Sequence, residues 1–570
     1  MTGSEAIIKS LIAENVDVLF GYPGGQIMPF FDKLYDYQKE LRQILVRHEQ
    51  GAVHAAQGYA RACGKTGVVA VTSGPGATNV ITGVADAMVD STPLVVITGQ
   101  VSASLLGTDA FQETDVLGIT LPITKWSYQI RRAEDIAWAV ARAFYIARSG
   151  RPGPVVLDVT KDAQIGILED FKYEPCSFIR SYIPVPTLQK SKIQEAAQML
   201  AEAKKPLIVY GQGIILSHAE EELMALCNKG GIPAASTLLG LSALPNDFEH
   251  YKGMLGMHGN IGPNIKTNEA DLILAVGMRF DDRVTGKVDT YAKQAKIIHI
   301  DIDIAEIGKI IPVDLGIHAD AKQALGLLTL LIPEGNHSEW EAEFDACNAV
   351  ERKRVSLPEI APSEGPINMG EVVDMVAEVS KHSAIVITDV GQNQMMAARY
   401  SKFNQSRSMI TSGGLGTMGF GLPAAIGAKI AQPDRHVCFF GGDGGVQMTI
   451  QEFGTIMQEQ TGVKVIILNN NWLGNVRQWQ ELFFGSRYSQ TRMLNPDYMM
   501  IAEAYGFAHR RVTERAELRE AVEDMLKDNR PYILEACIVE EGMVFPMIPP
   551  GKGVTDIMLN ANEWYTDGRK

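Results

Sequence analysis

Asp443 and Asn470 are the residues of this chain whose types and spacing most clearly suggest chemistry. Each follows an apolar run, 437–440 and 463–468, of the kind that forms a buried parallel strand. They lie roughly 30 residues apart, the length of one βαβ unit, so both side chains should reach the same edge of a sheet. A carboxylate oxygen, an amide oxygen and a backbone carbonyl just beyond, that of Trp472, suit a hard cation such as Mg²⁺.

Glycines surround the predicted metal-binding acid, at Gly442, Gly444 and Gly445. Because glycine lacks a Cβ, backbone here can approach phosphate oxygens closely, and Mg²⁺ would keep coordination positions for a diphosphate and water. The alternative is an ordinary strand-end turn with a solvated Asp and an Asn that caps a helix.

Glu49 is a second candidate, an acid that opens a helical segment before the glycine-rich stretch 72–79. A Glu at a helix start is most often a capping or solvated residue. A second glycine-rich stretch, 413–421, could be a simple strand-to-helix turn with Met418 as core filler.

Strand-like and helix-like patterns alternate along the chain and must position these residues. Apolar runs that end in Gly, Thr, Asp or Asn occur at 68–72, 94–98, 155–159, 207–210, 272–276, 297–302, 385–388, 437–440, 463–468 and 532–538. Amphipathic stretches such as 133–148 and 194–203 lie between them. The pattern predicts an α/β fold of doubly wound, mostly parallel sheets, with ligands outside the carboxyl ends of the strands.

Two irregular, proline-containing segments, near 165–190 and 335–365, suggest domain boundaries. We expect three α/β domains over 1–165, 185–335 and 365–550, followed by a tail over 551–570.

Composition narrows the class of protein. The 570 residues are 46% hydrophobic, which is ample for several cores. The net charge of −15 and the absence of a basic stretch argue against a nucleic-acid partner. The six cysteines form no CxxC pair, which indicates reduced thiols. With no leader-like segment and no apolar stretch of about 18 residues, we expect a cytoplasmic protein that does not span a membrane.

Several ordered motifs together resemble the thiamine-diphosphate enzymes along nearly the whole chain. They are 20–25, 47–51, 72–79, 153–154, 413–419, 442–444 and 469–470. Within that superfamily, the likeness is greatest to the catalytic large subunit of acetohydroxyacid synthase (acetolactate synthase). It is carried by 107–113, 125–126, 256–259, 279–286, 476–480 and 546–551.

The resemblance implies a reaction and its cofactors: thiamine diphosphate, Mg²⁺ and an FAD without net redox chemistry. Pyruvate would be decarboxylated on thiamine diphosphate. The hydroxyethyl carbanion would then condense with pyruvate or 2-ketobutyrate to give acetolactate or acetohydroxybutyrate in branched-chain amino-acid biosynthesis. The resemblance also implies a homodimer or a tetramer with each active site between two subunits, and a small regulatory subunit as partner.

Roles for individual residues follow from the same resemblance. The catalytic residues would be Glu49, Gln112 and Lys161, with Glu49 hydrogen-bonded to pyrimidine N1′ so that N4′ can take the thiazolium proton. Cofactor-binding positions are Gly25, Glu49, Gly391, Gln392, Gly416, Met418, Gly442, Gly444, Gly445, Asn470, Gly474, Val476, Arg151, His258, Gly277, Arg279, Asp301 and Asp320. Arg283 and Trp479 would contact substrate, and Asp443, Asn470 and Trp472 the metal.

Structural alternatives remain for several of these residues. Gln112 could be an exposed loop residue, and Lys161 and Arg283 could form ordinary surface ion pairs. Trp479 could be a core aromatic that shares a helix face with Val476.

The flavin is expected from the resemblance alone. No GxGxxG motif opens a strand–helix unit, so the pattern itself does not predict a dinucleotide site. The segments 258–279 and 301–320, with Arg151 and Arg283, match the family's FAD contacts. Asp301 ends a strand and could hold ribose hydroxyls or cap a helix.

The chain departs from the family pattern at Gln26, Asn393, Asn475 and Val446. These positions bear on substrate preference, diphosphate contacts and inhibitor sensitivity, and none removes a proton-transfer or metal group. Two other functions stay open: a pyruvate oxidase or 2-keto-acid decarboxylase of the same superfamily, and a non-catalytic homologue. Retention of the predicted acid and metal ligands disfavours the last.

Overall fold

The structure, a computed structural model, describes residues 1–566. It contains three six-stranded sheets that follow one another along the chain, and every strand pair in them is parallel. The predicted α/β class with parallel sheets is therefore confirmed. No helix in the described residues is long and apolar enough to cross a bilayer. Of the predicted tail, residues 567–570 lie outside the described part.

The first sheet spans 18–160. Its strands are β1 (Val18–Tyr22), β2 (Arg42–Leu45), β3 (Gly67–Val71), β4 (Leu94–Gln100), β5 (Trp126–Ile130) and β6 (Pro154–Thr160). Its helices are α1 (Gly3–Ala13), α2 (Met28–Leu34), α3 (Glu49–Cys63), α4 (Pro75–Asn79), α5 (Ile81–Val89), α6 (Val116–Thr120), α7 (Ile136–Arg148) and α8 (Lys161–Ile165). The strand order is β2-β1-β3-β4-β6-β5.

The middle sheet spans 206–318. Its strands are β7 (Pro206–Tyr210), β8 (Ala234–Ser236), β9 (Tyr251–Met254), β10 (Leu272–Val276), β11 (Lys296–Asp301) and β12 (Leu315–His318). Its helices are α9 (Lys190–Glu202), α10 (Gly213–Leu216), α11 (Glu220–Gly230), α12 (Ile261–Thr267), α13 (Asp282–Thr285) and α14 (Ala321–Leu331), followed by α15 (Ser338–Glu351) and α16 (Leu357–Ile360). The strand order is β12-β11-β10-β7-β8-β9.

The third sheet spans 385–537. Its strands are β13 (Ile385–Thr388), β14 (Met409–Ile410), β15 (Val437–Gly442), β16 (Lys464–Asn469), β17 (Ala508–Val512) and β18 (Tyr532–Cys537). Its helices are α17 (Met369–Val379), α18 (Gln392–Tyr400), α19 (Gly421–Ala431), α20 (Asp443–Met448), α21 (Phe453–Glu459), α22 (Gly474–Phe483), α23 (Tyr498–Ala504) and α24 (Arg515–Lys527). A short hairpin of β19 (Met558–Asn560) and β20 (Glu563–Trp564) follows. The sheet order, β14-β13-β15-β16-β18-β17, repeats the topology of the first sheet.

Each sheet reverses its winding direction at a pair of interior strands. The reversal falls between β1 and β3, between β7 and β10, and between β13 and β15. Loops leave such a pair in opposite directions and open a crevice at the carboxyl ends, where α/β proteins bind ligands. The fold therefore provides three crevices.

Helices α3 and α19 join the first domain to the third through direct backbone contact. A Cβ at Gly58 would lie 2.0 Å from the carbonyl oxygen of Ala424, and one at Gly427 would lie 1.8 Å from that of Ala55. Only glycine allows an approach this close, so these two glycines set the distance between the helices.

Replacing Gly427 with Ala should destabilise the protein. The added methyl would overlap the Ala55 carbonyl, and relief would require the two helices to move apart. We expect a loss of about 1–3 kcal/mol in the free energy of unfolding, measured by urea denaturation.

Gly326→Ala is the matched control within α14. A Cβ there would meet only the Cγ of Glu222, at 3.8 Å, and Ala stabilises a helix interior by about 1 kcal/mol relative to Gly. Equal effects of the two substitutions would contradict close helix approach as the cause.

Candidate active site

Glu49 begins α3 at the carboxyl edge of the first sheet. His48 caps this helix by accepting a hydrogen bond from the Gln50 backbone N–H at 3.2 Å. The Glu49 carboxylate accepts a hydrogen bond from the Asn79 side chain at 2.9 Å. A Cβ at Gly76 would lie 3.4 Å from the other carboxylate oxygen. Glu49 is thus oriented by the 72–79 stretch.

The loops of the first crevice surround this acid. A Cβ at Gly24 would lie 2.5 Å from the side chain of Thr72, which brings the loop after β1 against the loop after β3. Gly25, by contrast, faces open space. A Cβ at Gly74 would lie 2.9 Å from the carbonyl oxygen of Gln112. Gly25, Glu49 and Gln112 therefore belong to one region of the first domain.

Lys161 opens α8 directly after β6, at the same edge of the sheet. The helix is tied to the loop after β1, because Gln164 donates to the Gln26 carbonyl oxygen at 2.8 Å. Lys161 itself is half-buried. We call Gly25, Glu49, Gln112 and Lys161, with the loops that hold them, the acid half-site.

Glu452, from the third domain, fixes where α3 begins. Its fully buried carboxylate accepts hydrogen bonds from the backbone N–H groups of Arg47 and His48, at 3.1 and 3.0 Å. Thr455 donates to the same carboxylate at 2.6 Å. The residues just before Glu49 are therefore held by the domain that carries the predicted metal site.

Asp443 lies at the third crevice, where α20 follows β15. Its side chain is 1% exposed, and burial raises the pKa of its carboxyl to about 6. The groups that oppose this rise are an amide side chain and backbone N–H groups, none with a net charge. A buried carboxylate without a charged partner is costly, so a cation beside Asp443 suits the site.

Asn470 follows β16, the neighbour of β15, so the sheet brings both predicted metal ligands to one edge. Its side-chain oxygen accepts from the Trp472 backbone N–H at 3.1 Å, which folds the predicted carbonyl ligand back towards it. No group of three or more His, Cys, Asp or Glu side chains suited to a metal occurs in residues 1–566. The predicted set differs in kind: one carboxylate, one amide and one carbonyl, the oxygen donors that Mg²⁺ accepts.

Backbone approaches the predicted diphosphate region closely from two loops. Gly391 has φ 136° and caps α18. A Cβ at Gly474, the first residue of α22, would lie 2.1 Å from the Gln392 side-chain oxygen. At Gly442, the atom nearest to an added Cβ would be 3.7 Å away. Gly442 is the last residue of β15, and the other predicted diphosphate-region residues follow β13, β15 or β16: Gly391, Gln392, Gly444, Gly445, Asn470, Gly474 and Val476.

Two buried carboxylates of the first domain hold the glycine-rich loop 412–419. Asp90 accepts from the backbone N–H groups of Gly413 and Gly414 at 2.9 and 2.7 Å, and pairs with Arg61 at 3.0 Å. Asp86 accepts from the Thr417 hydroxyl at 2.8 Å.

Gly416 and Met418 lie within the loop that these carboxylates hold. Gly416 has φ 72°, a conformation that glycine tolerates most readily, and a Cβ there would lie 3.9 Å from the Val390 side chain. Met418 is half-buried beside it. Gly419 donates to Asp389 at 2.8 Å. We call the loops after β13, β15 and β16, together with 412–419, the metal half-site.

A cavity of about 900 Å³ opens at the middle crevice and reaches the metal half-site. The predicted residues that line it are Arg151, His258, Gly277, Arg279, Arg283, Asp301, Asp320, Gly391, Gly416 and Trp479. The crevice is narrow at its base, because Gly213 donates to the Gly277 carbonyl oxygen at 2.9 Å. The volume suits a large ligand, and its position at the reversal point suits a dinucleotide.

The charged residues of this cavity have distinct environments. Burial raises the pKa of the Asp301 carboxyl to about 7 and lowers that of His258 to about 3. Arg151 already pairs with Glu306 at 2.8 Å. Asp320 caps α14 by accepting from the Gln323 backbone N–H at 3.0 Å. The site thus offers one neutral imidazole, a carboxyl that titrates near neutrality and fixed cations.

The substrate candidates lie at the mouth of this cavity. Arg283 is largely exposed, 3.7 Å from Asp282. Trp479 is half-buried against the cavity with Asn475, while Val476 is 49% exposed. Trp479 and Val476 therefore do not share a core-facing stripe.

No hydrogen bond or ion pair links Glu49 to Asp443 or Asn470 in the described residues, and neither Glu49 nor Asp443 lines the large cavity. Sequence reasoning missed Glu452, Asp86 and Asp90, because a lone acid in a helix pattern carries no motif.

Comparison with known proteins gives all three domains a family. Residues 1–119 match the thiamine pyrophosphate enzyme N-terminal TPP binding domain, 193–328 the central domain, and 389–536 the C-terminal TPP binding domain. Thiamine pyrophosphate is thiamine diphosphate. Fold, half-sites and matches together define a thiamine-diphosphate enzyme.

Relatives along the full length narrow the class. The chain is 44% identical to the acetolactate synthase large subunit of Corynebacterium glutamicum over 566 residues, 98% of this chain and 90% of that protein. It is 43% identical to the isozyme 2 large subunit of Escherichia coli over 561 residues, 98% of this chain and 99% of that protein. The Lactococcus lactis large subunit is 43% identical over 553 residues, 96% of this chain and 95% of that protein. The chain belongs to the family of acetolactate synthase large subunits.

Proposed function

We propose that this protein decarboxylates pyruvate and transfers the two-carbon unit to a second 2-keto acid. Pyruvate as acceptor gives acetolactate and 2-ketobutyrate gives acetohydroxybutyrate, the step that opens branched-chain amino-acid biosynthesis. The observation that carries the proposal is the full-length similarity to acetolactate synthase large subunits, together with retention of Glu49, Asp443 and Asn470.

The metal half-site fits Mg²⁺ and a diphosphate. Asp443, Asn470 and the Trp472 carbonyl would hold the cation, and the glycine loops after β13 and β15 leave room for phosphate oxygens. Thiamine diphosphate supplies the electron sink that decarboxylation of a 2-keto acid requires.

Glu49 acts as the proton-holding acid in this proposal. Its carboxylate, oriented by Asn79, would bind the pyrimidine N1′ and share a proton there. Met418 would support the bound ring from below, and Gln112 would border the reacting carbon. Lys161 and Arg283 would pair with keto-acid carboxylates, and Trp479 would favour the extra methyl group of 2-ketobutyrate, a preference worth about 1–3 kcal/mol.

FAD is proposed for the large cavity of the middle domain. Asp301 can accept ribose hydroxyls, and Arg151, Arg279 and Arg283 provide cations for a pyrophosphate. The expected role is structural, because the carboligase reaction involves no net redox change. Flavin absorbance of protein purified without added FAD measures whether the cavity retains it.

A homodimer is the smallest assembly that would complete the active site, and a tetramer could be built from it. Large apolar side chains are exposed beside both half-sites: Phe111 is 84% exposed, Met448 54% and Leu415 45%. Such patches mark protein interfaces. A two-fold interface would place the acid half-site of one subunit against the metal half-site of its partner.

A small regulatory subunit is a further proposed partner, because the relatives are named large subunits. Adding a small subunit from the same source should raise turnover and confer inhibition by valine. Unchanged turnover and no valine response in a titration of the small subunit would contradict this pairing.

Turnover of pyruvate should depend on Glu49. With thiamine diphosphate, Mg²⁺ and FAD, the wild type should form acetolactate, and Glu49→Gln should lower kcat by about 10²–10⁴-fold because the proton at N1′ is no longer shared with an acid. Product is measured colorimetrically, with and without 2-ketobutyrate.

Adding Gln50→Glu to Glu49→Gln should not restore turnover, because the new acid would lie one residue away on another face of the helix. Thiamine diphosphate affinity of Glu49→Gln, by calorimetry, controls for lost cofactor. Acetate, acetaldehyde or peroxide as the main wild-type product would instead favour a pyruvate oxidase or decarboxylase.

Mixed dimers should reveal a site shared between subunits. Co-assembly of Glu49→Gln with Asp443→Asn chains would create dimers with one unaltered site and one doubly altered site. Random pairing should restore about a quarter of wild-type activity from two inactive parents. Activity no higher than that of either parent would place both half-sites of a working site in one chain.

A further inference from the structure

We propose that Asn495 is a positioning residue for the divalent cation at Asp443, a role that rests on the proposed function through its cofactor set. The Asn495 amide holds one oxygen of the Asp443 carboxylate so that the other can face the cation. It also ties that carboxylate to the loop that carries Asn470 and Trp472.

The Asn495 side-chain nitrogen stands at the centre of the metal half-site. It lies 2.6 Å from Asp443 Oδ2, 3.0 Å from Asn469 Oδ1 and 3.3 Å from Asn471 Oδ1. Asp443 Oδ1 accepts the backbone N–H of its own neighbour Gly444, at 3.1 Å. Asn495 is thus the one side chain in the described residues that donates a hydrogen bond to the carboxylate.

The orientation of the amide follows from its neighbours. The Asn495 oxygen accepts from the Gln447 side chain at 2.9 Å, and Gln447 also donates to the Asp443 carbonyl oxygen at 3.1 Å. Turning the amide over would place its oxygen against three acceptor oxygens and its nitrogen against a donor. Only an NH₂ group can serve this position.

The backbone around Asn495 braces the loop of the other ligands. Leu473 donates to the Thr491 carbonyl oxygen at 2.8 Å, and Met493 donates to that of Asn471 at 2.9 Å. The segment 491–493 therefore runs antiparallel to 471–473, with a bridge between Trp472 and Arg492. Asn495 follows two residues later and donates to Asp443, so this stretch connects all three predicted ligands.

A carboxylate that binds a metal needs a fixed rotamer, because hydrogen bonds from surrounding groups orient the ligand and tune its basicity. Within residues 1–566 Asp443 forms no ion pair that would fix it, and its remaining partners are backbone N–H groups. Removing the Asn495 amide would therefore free the carboxylate to rotate, while the hydrophobic core beneath it stays unchanged.

Cation affinity is the quantity that tests this role. Mn²⁺ binding is measured by electron paramagnetic resonance on the full-length protein with saturating thiamine diphosphate, which reports the free ion without reference to turnover. We expect Asn495→Ala to weaken Mn²⁺ binding by about 10–100-fold. Asn495→Asp should weaken it as well, because the same shape then presents an acceptor to Asp443 and two amide oxygens.

Asp497→Ala is the matched control in the same segment. Asp497 caps α23 through the Met499 backbone N–H at 3.0 Å and pairs with Arg511 at 2.7 Å, without touching Asp443. Its loss should lower the unfolding temperature of the metal-free protein and leave Mn²⁺ affinity within about twofold of wild type. Asn495→Ala should show the reverse pattern.

The outcomes separate this role from the proposed function. Mn²⁺ affinity of Asn495→Ala equal to wild type would overturn the role of Asn495 alone, as would an equal loss in Asp497→Ala. A wild type that binds no Mn²⁺ in the presence of thiamine diphosphate would overturn the proposed function and this role together. If Asn495→Ala does not fold, Asn495→Asp carries the same comparison.

Discussion

The contact between helices α3 and α19 is the constraint on which the active site depends. Gly58 and Gly427 let the two helix backbones touch, and Glu452 then binds the N–H groups just before Glu49. The position of the acid is therefore set by the third domain as much as by the first. Because the two helices meet backbone to backbone, the first and third domains of one chain pack together as one unit.

The three crevices arise from the same kind of strand reversal, but each offers a ligand different chemistry. Every sheet reverses its winding at an interior pair of strands, and the loops at that point carry glycines where backbone must approach a ligand. Burial raises the pKa of Asp443 and Asp389 to about 6 and that of Asp301 to about 7. In residues 1–566, the groups that oppose this rise at Asp443 and Asp389 carry no net charge, whereas Arg151 opposes it at Asp301. Burying a carboxylate without a charged partner is destabilising, and such carboxylates are typical of sites where a bound ligand provides that partner.

The central strands of all three sheets could be predicted from sequence, because residues buried on both faces form uninterrupted apolar runs. Val437, Cys438 and Phe439 are 0% exposed, as their pattern indicates. The shortest strands could not. Strand β14, at the edge of the third sheet, has only two residues, Met409–Ile410, and β8, between β7 and β9, only three, Ala234–Ser236. Runs this short contain no period, and pairing with a neighbouring strand creates them. The long apolar strands are enough to predict the α/β class. The full strand order, and with it the reversal points, also requires the short strands.

By itself, the sequence determined the residue types that can do the chemistry: an acid at 49, a carboxylate and an amide at 443 and 470, and glycines around them. Their order along the chain also placed the carboxylate and the amide at the ends of strands, and the acid at the start of a helix. Only the tertiary structure decided which groups support them. Glu452 reaches Glu49 from about 400 residues away, an order of separation that no local pattern encodes, and Asn495 reaches Asp443 across a surface loop. Their roles arise from hydrogen bonds between segments distant in sequence, which exist only once the helices and sheets have packed.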